Sequence, residues 1–408
     1  MKQGWQTRSL GDIAEVGAGN SAPQAEELFA GGTHPFFRTS DAGRIGFGDI
    51  HEAVDYLNDE GIKGLRRFPK GTILFPKSGA STFLNHRVML GVEGFVSNHL
   101  ATIVANATQV DPRFLLYFLT TVSAQDMIQD HAYPSLNLPT ISGIPVLVPP
   151  LREQQRIVGV LDDAVEGITT AKAHAEKNLQ NARAIFESDL ESIFAQGGEG
   201  WVKKTVSEVV AAGVLLKPFD GNHGEIHPRK ADYTKAGVPF IMASDLQNGS
   251  VDTEHCKFIS RRLADSLRVG FAKDGDVLIS HKGTIGRSAI VSTQDDYIML
   301  TPQVTSYRVK DASKLSNRFL RYYFMSPGFQ QEMIAAAEGG ATRAYIGITR
   351  QLTLRLRFPS LHDQCQIAAK LDALDPETQR LQSIYRQKVD ALGALQKSLL
   401  HQAFTGNL

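Results

Sequence analysis

Leu151-Arg152-Glu153-Gln154-Gln155-Arg156-Ile157-Val158-Gly159-Val160-Leu161-Asp162 returns 210 positions later as Leu361-His362-Asp363-Gln364-Cys365-Gln366-Ile367-Ala368-Ala369-Lys370-Leu371-Asp372. The offset holds without a gap to the end of both segments, where Ser188 pairs with Ser398, Leu190 with Leu400 and Phe194 with Phe404. Such a repeat decides the architecture before any single motif does, because it shows one design used twice. The similarity reaches, more weakly, into the sequence ahead of each segment. Trp5 with Leu10 and Ile13 matches Trp201 with Val206 and Val209, and Pro35-Phe36 with Ser40-Asp41 matches Pro239-Phe240 with Ser244-Asp245. Residues 70–74 match 274–278, and 114–119 match 319–324. The order is therefore globular part, arm, globular part, arm. The arms are more alike than the globular parts, as expected if the arms share a partner while the globular parts read different things.

The arms read as helices. The first sets Ile157, Leu161, Ala164, Ile168, Ala171 and Ala175 at spacings alternating between four and three, then slips by one to Leu179, Ala182, Phe186, Leu190 and Ile193. The second runs Ile367, Leu371, Leu374, Thr378, Leu381, Tyr385, Lys388, Leu392, Leu395 and Leu399. This is a coiled-coil seam, with a stutter in the first arm. Pro376 either kinks the second helix or follows Asp375 as the cap of a new start. Gly197-Gly198 and Gly406 are the stop signals. If the seams pair within the molecule, connectivity makes the second helix run back antiparallel. A helix of about 43 residues spans about 65 Å, so two similar globular units are expected at opposite ends of a spacer, related by an approximate twofold axis. The alternative is that each arm packs on its own unit as a core helix.

Each globular part reads as short strands broken by Gly, Pro and Asn turns, with one clear helix near its end. Strands are predicted over 72–75, 102–105, 276–280, 289–292 and 304–309, and helices over 112–121 and 317–325. The expected fold class is α+β, with two similar mixed α/β domains and two long antiparallel helices in an internal repeat. The division is 1–150 and 199–358 for the domains, 151–198 and 359–408 for the helical regions.

Two kinds of loop recur at equivalent places. Lys77-Ser78-Gly79-Ala80-Ser81-Thr82 follows a strand in the first part, and His281-Lys282-Gly283-Thr284-Ile285-Gly286-Arg287 follows its counterpart in the second. Small residues let a backbone come close to a ligand, while Lys, Arg, Ser and Thr donate hydrogen bonds, a composition suited to phosphates and base edges. A polar, aromatic loop precedes each arm: His131-Ala132-Tyr133-Pro134-Ser135-Leu136-Asn137 and Gly340-Ala341-Thr342-Arg343-Ala344-Tyr345. The candidate DNA-contact residues are Lys77, Ser78, Ser81, Thr82, Arg87, Tyr133, Ser135 and Asn137 in the first part. In the second they are His281, Lys282, Thr284, Arg287, Thr342, Arg343 and Tyr345.

At 408 residues the chain is long enough for two cores. Formal net charge is zero, but it is unevenly spread. Residues 201–358 carry about seven excess positive charges and residues 1–150 about three excess negative. The basic second part suits phosphate contact; the first needs a local patch or help from a partner. No apolar run reaches the ~18 residues of a membrane span, and the N-terminal residues carry no signal core. The two cysteines, Cys256 and Cys365, make no metal spacing, which fits a reduced, cytoplasmic protein. No Gly-x-x-x-x-Gly-Lys-Ser/Thr loop, no Asn/Asp-Pro-Pro-Tyr tetrapeptide, no nucleophile elbow and no His-Glu-x-x-His helix is present. Gly17-Ala18-Gly19 fails the dinucleotide spacing, and His223-Gly224-Glu225-Ile226-His227 has no fourth ligand nearby.

Pro149-Pro150-Leu151 through Asp162, the echo up to Asp372, and the ending Ser398-Leu399-Leu400-His401-Gln402-Ala403-Phe404-Thr405-Gly406-Asn407-Leu408 resemble the specificity subunit of type I restriction-modification systems. The resemblance covers essentially the whole chain. It implies two target-recognition domains, each reading one half of a bipartite site in double-stranded DNA, and helices that set the spacing between the halves. It also implies a chain without catalysis or cofactor of its own. Two modification subunits would dock on the helices and carry S-adenosylmethionine, and restriction subunits would supply ATP- and Mg-dependent translocation and cleavage. The second arm departs from the pattern at Ser360 and at Cys365-Gln366, so the two docking surfaces are expected to be unequal. Two other classes remain: a scaffold whose domains bind protein, and a fused methyltransferase, against which the missing cofactor motif argues.

Overall fold

The residues that repeat most faithfully are the ones that fasten each long helix to the domain in front of it. In the computed structural model, which describes residues 4–128, 130, 132, 134–198, 200–223, 225–338 and 344–408, Gln154 is fully buried in the first turn of a helix spanning Leu151–Gln196. Its Oε1 accepts from the backbone N–H of Asp111 at 2.7 Å, and its Nε2 donates to the carbonyls of Gln109 and Pro149 at 3.1 and 2.8 Å. Gln364, equally buried at the start of the helix Leu361–Thr405, does the same with Ser316 N–H and with the carbonyls of Lys314 and Pro359. Asp111 and Ser316 are themselves the N-caps of the domain helices Pro112–Thr120 and Asn317–Met325. One side chain thus satisfies backbone groups of both helix starts and the link between them.

Two turns on, the repeated aspartates complete the attachment. Asp162 accepts from the hydroxyl of Tyr117 at 2.6 Å and pairs with Arg113, and Asp372 accepts from Tyr322 at 2.7 Å and pairs with Arg318. Leu161 and Leu371 are fully buried beside them. The helix ends are docked as well. Phe404 lies edge-on to Phe114 and Phe118, with ring centres 5.2 and 5.5 Å away. Phe194 stands in the same way against Phe319 and Tyr323, at 5.5 and 5.6 Å. The chain accordingly divides into two compact units, residues 1–175 with 387–408 and residues 176–386. Each takes in the start of one long helix and the end of the other, where the division by sequence set the helices apart.

In the first unit Arg156, near the start of the first long helix, donates to the carbonyl of Leu408 at 2.9 Å. In the second, Lys370 near the start of the second helix pairs with Asp189 near the end of the first at 3.3 Å. The two helices therefore run antiparallel, as connectivity required. Their seam follows the expected stripe through Ile157, Leu161, Ile168, Ala175, Ala182, Phe186 and Leu190, all buried. It differs in two places. Phe194 rather than Ile193 takes the last buried position of the first helix. In the second helix Lys388 and Leu395 face solvent, and Val389 and Gln396 are half-buried in their stead. The helix runs through Pro376 unbroken, and Asp375 caps no new start: its carboxylate accepts from Arg321 at 3.0 Å and from Gln379 at 2.6 Å. Gly197 and Gly406 follow the helix ends with φ of +51° and +77°, the left-handed stop that glycine adopts without steric cost.

The fold is α+β. The first unit centres on a five-stranded sheet in the order Ala14–Ala18, Leu100–Ala105, Ile73–Pro76, Arg87–Leu90 and Phe47–Ile50. The second unit's counterpart has six strands, ordered Phe219–Asp220, Val304–Tyr307, Val277–Ser280, Ser288–Ile290, Ser250–Val251 and Leu246–Gln247. Each unit has a further sheet, of three strands in the first and five in the second. Each also has a two-stranded ribbon, Gln6–Ser9 with Pro145–Val148 and Val202–Thr205 with Arg355–Phe358. The predicted strands and helices lie within a few residues of observed ones. A helix at Pro327–Ala336, burying Phe329 and Met333, was not foreseen. Among the described residues no helix is long and apolar enough to cross a membrane.

Removing Gln154 leaves one buried N–H and two carbonyls without their partner, so Gln154→Ala should lower the stability of the first unit by about 2–3 kcal/mol. Gln155→Ala, one residue on but exposed, should change it by less than about 0.5 kcal/mol. Denaturant midpoints of the two variants check the contrast.

Candidate nucleic-acid interface

The strands Ile73–Pro76 and Val277–Ser280 are fully buried and each runs straight out into a candidate loop. The exits are fixed in the same way. Lys77 N–H donates to the carbonyl of His99 at 3.0 Å, and His281 N–H to that of Gln303 at 2.9 Å. The carbonyls of Lys77 and His281 accept from Leu136 N–H at 2.8 Å and Ile346 N–H at 3.0 Å. Gly79 N–H donates to Pro134 O, and Gly283 N–H to Ala344 O. Ser78 is bridged to Ser135 and Lys282 to Tyr345. The loop after the strand and the loop before the arm, recognised separately in sequence, are thus one backbone-paired patch in each unit. The pairing needs a left-handed residue, and Gly79 and Gly283 supply it with φ of +74° and +77°. The bonds also align the two units: Lys77 stands where His281 does, and Ser78 where Lys282 does.

In the first unit Lys77 and Ser78 are half-exposed, and the Ser78 hydroxyl lies 2.7 Å from His99 Nδ1. Ser81 is half-buried and donates to Ser78 O. Ser135 and Asn137 are exposed; Asn137 caps the short helix Leu138–Ser142 by accepting from Thr140 N–H at 2.8 Å. Two expectations do not fit this surface. Thr82 is buried and returns its hydroxyl to Gly79 O at 2.8 Å, so it holds the turn. Arg87 is fully buried, its guanidinium 3.5 Å from the centre of the Phe75 ring and bonded to His86 O, Asn85 Oδ1 and Val122 O. Burial pulls its pKa below the ordinary arginine value. The alternation of the strand Arg87–Leu90 turns it inward, and it is a core group. Tyr133 lies outside the described residues.

In the second unit Lys282, Thr284 and Arg287 are all exposed, and Tyr345 is 42% exposed. None of Lys77, Lys282 and Arg287 is in an ion pair among the described residues, so their charge is available to an anion. Tyr345 donates to Glu338 Oε2 at 2.9 Å, a bond that raises its phenol above the ordinary value. His281 differs from the expected surface ligand: it is 4% exposed and forms the floor of the loop. Its Nδ1 is 2.7 Å from Thr305 Oγ1, which donates to Asp220 and accepts from Gln351, which in turn accepts from Tyr307. With the Thr305 proton committed to Asp220, the His281 Nδ1 is the donor to Thr305. Burial pushes the imidazole pKa down, against the pull of Asp220. Thr342 and Arg343 lie outside the described residues. Sequence reading missed His99 and Gln303, whose backbones anchor both loops; their only signal was position within the weak part of the repeat. Among the described residues no group of three or more His, Cys, Asp and Glu side chains is placed to hold a metal.

The patches therefore offer exposed cations, hydroxyls and amide groups on one backbone-paired edge in each unit. The family model described as the type I restriction modification DNA specificity domain matches residues 2–180 and again 198–386. The chain is 22% identical over 377 residues to the type I restriction enzyme MjaIX specificity subunit of Methanocaldococcus jannaschii, covering 85% of this chain and 81% of that one. It is 19% identical to the EcoBI specificity subunit of Escherichia coli, covering 84% and 76%. Among solved structures, a chain from a study of complex assembly and conformational transition in the type I R-M system superposes with a TM-score of 0.73 at 18% identity, covering 100% of this chain and 99% of that one. The HsdS subunit from Thermoanaerobacter tengcongensis gives 0.54, also at 18% identity, covering 100% and 98%.

Because burial lowers the His281 pKa, the unfolded chain takes up a proton there more readily than the folded chain. Stability of the second unit should therefore fall as pH drops below about 6.5. His281→Gln should flatten the part of the decline between pH 7.5 and 5.5, read as the shift in denaturant midpoint across that window.

Proposed function

The chain belongs to the type I restriction modification DNA specificity family, and from that premise we propose that each unit reads one half of a bipartite site in double-stranded DNA. The observation that carries this reading is that the same two loops are paired at the same place in both units but carry different side chains. A common scaffold with different residues on its edge is what an asymmetric site requires. Lys77, Ser78, Ser81, Ser135 and Asn137 form the proposed contact set of the first unit, and Lys282, Thr284, Arg287 and Tyr345 that of the second. The two long helices fix the spacing of the half-sites and dock two modification subunits, on surfaces made unequal by Cys365 and Gln366. Chemistry resides on the partners. S-adenosylmethionine belongs to the modification subunits, and ATP and Mg to the restriction subunits. The chain itself turns over nothing.

Two measurements test this. In the complex with modification subunits, Lys282→Ala should weaken DNA binding and reduce the slope of log affinity against log salt by about one if Lys282 meets a phosphate. An unchanged affinity and slope would leave the loop a plain turn. Replacing residues 201–358 by the equivalent unit of a relative should change one half-site and spare the other, read by methylation mapping. If the complex methylates without any dependence on these units, the domains bind protein and the scaffold reading takes over.

A further inference from the structure

A third backbone segment adjoins the loop pair in each unit, and the side chain at its tip differs between them. Ser97–Leu100 and Thr301–Val304 are tight turns, closed by Leu100 N–H to Ser97 O at 3.0 Å and by Val304 N–H to Thr301 O at 3.2 Å. Their ends are buried, while His99 and Gln303, third in each turn, are exposed. Further bonds pin the two turns in matching fashion. Ser97 N–H donates to Phe37 O and Thr301 N–H to Ile241 O, both at 2.9 Å. Leu100 O accepts from Gly19 N–H at 3.1 Å, and Val304 O from Gly221 N–H at 2.9 Å. The carbonyls of His99 and Gln303 accept from Lys77 and His281, the residues that open the candidate loops. One fixed backbone position beside the contact patch thus carries an imidazole in the first unit and an amide in the second.

The neighbours of that position correspond as well. In the first unit the His99 Nδ1 lies 2.7 Å from Ser78 Oγ. In the second, Gln303 lines one cleft with Lys282, the residue that stands where Ser78 does. The Ser78–His99 couple keeps one donor and one acceptor for a ligand in either tautomer. If the hydroxyl donates to Nδ1, the Nε2 proton is left over; if Nδ1 donates, the hydroxyl proton is left over. The Gln303 side chain has no hydrogen-bond partner among the described residues, so its Oε1 and Nε2 are both open. An acceptor and a donor side by side on a planar amide complement the N6 amino group and N7 of adenine, a pattern no other base shows in the major groove. A backbone pinned in this way holds such a group in place with less loss of freedom than an unpaired loop would.

We propose that Gln303 and His99 are specificity-determining residues of their half-sites. Gln303 pairs with one adenine, Nε2 donating to N7 and Oε1 accepting from the N6 amino group. His99, coupled to Ser78, hydrogen-bonds to a base edge at the corresponding place in the other half-site. The proposal rests on the reading that the loops of both units meet DNA. It adds base readout to a patch whose cations, Lys77, Lys282 and Arg287, suit phosphates.

The test uses the full chain in complex with its modification subunits, and duplexes carrying the mapped site. 7-Deaza-adenine, which lacks only the N7 acceptor, replaces in turn each adenine of the half-site that depends on residues 201–358. With the wild-type chain one such replacement should weaken binding about fivefold or more, and with Gln303→Ala the same replacement should make no difference. The slope of log affinity against log salt should stay at its wild-type value in Gln303→Ala, since no phosphate contact is lost. Gln303→Glu, which can only accept, should move the preference at that position from adenine toward cytosine. His99→Ala should lower discrimination at one position of the other half-site and at none in this one. Both side chains are exposed, and wild-type unfolding midpoints show that the variants keep the fold. If no adenine is sensitive, if the sensitivity persists in Gln303→Ala, or if that variant loses salt slope, the Gln303 assignment is overturned. Full discrimination in His99→Ala overturns the His99 assignment. Those results leave DNA reading by the units intact. A site that depends on neither unit would instead remove the underlying reading, and the proposal with it.

Discussion

Everything else in this chain depends on a buried amide. A long helix that leaves a domain must begin somewhere, and its first N–H groups and the link before it carry polar atoms that burial makes costly. Gln154 and Gln364 resolve this by bonding to the cap of the domain helix and to the link at once. The bonds are directional, so they fix the start of the helix as well as satisfying it. The aspartate two turns later, held by Tyr117 or Tyr322, adds a second point of attachment. A helix held at two points along its axis keeps one direction relative to its domain, which is what distinguishes a rigid arm from a tether.

The two attachments share a plan but not their chemistry. Leu116, fully buried in the domain helix of the first unit, is replaced in the second by Arg321, which pairs with Asp375 on the long helix. The side chains of that pair are 8% and 11% exposed. A buried pair of this kind contributes little net stability, because desolvation offsets most of its attraction, yet losing one partner is costly. The loop floor is unequal too: a polar chain of His281, Thr305, Gln351 and Tyr307 lies where the first unit has Lys77, Ala101, Ile141 and Ile103. Beneath its loop the second unit thus relies on side-chain hydrogen bonds, and the first largely on apolar side chains.

Much of this was legible in the sequence because period and repetition survive any tertiary context. The repeat located both long helices within a residue or two, and turn glycines bracketed the central strands. The errors have physical sources. Lys388 and Leu395 were read into the seam because a leucine at i+3 scores as well as any residue at i+4. The alternation actually used, through Val389 and Gln396, is the one that ends on Ala403 and Phe404, whose docking site lies nearly 300 residues earlier in sequence. Arg87 was taken for a surface cation because charge usually means exposure; only the strand's pairing shows that it faces inward over Phe75. Asp375-Pro376 looks like a helix start until Arg321 is found opposite it. The joining of the two candidate loops was invisible, since backbone pairing over some 60 residues leaves no compositional trace.

The docking of Phe404 on Phe114 and Phe118 sets the order in which the protein can be made. The first unit's core includes Ala403 and Phe404, more than two hundred positions beyond residue 175. A ribosome completing the first 175 residues has therefore delivered a domain whose apolar face stays open through the synthesis of more than two hundred others. At about 5–20 residues per second that is a wait of roughly 10–45 s. The second unit, made wholly of residues 176–386, faces no such delay once its own residues emerge. A chain cut ahead of Ala403 would leave that face open for the lifetime of the molecule.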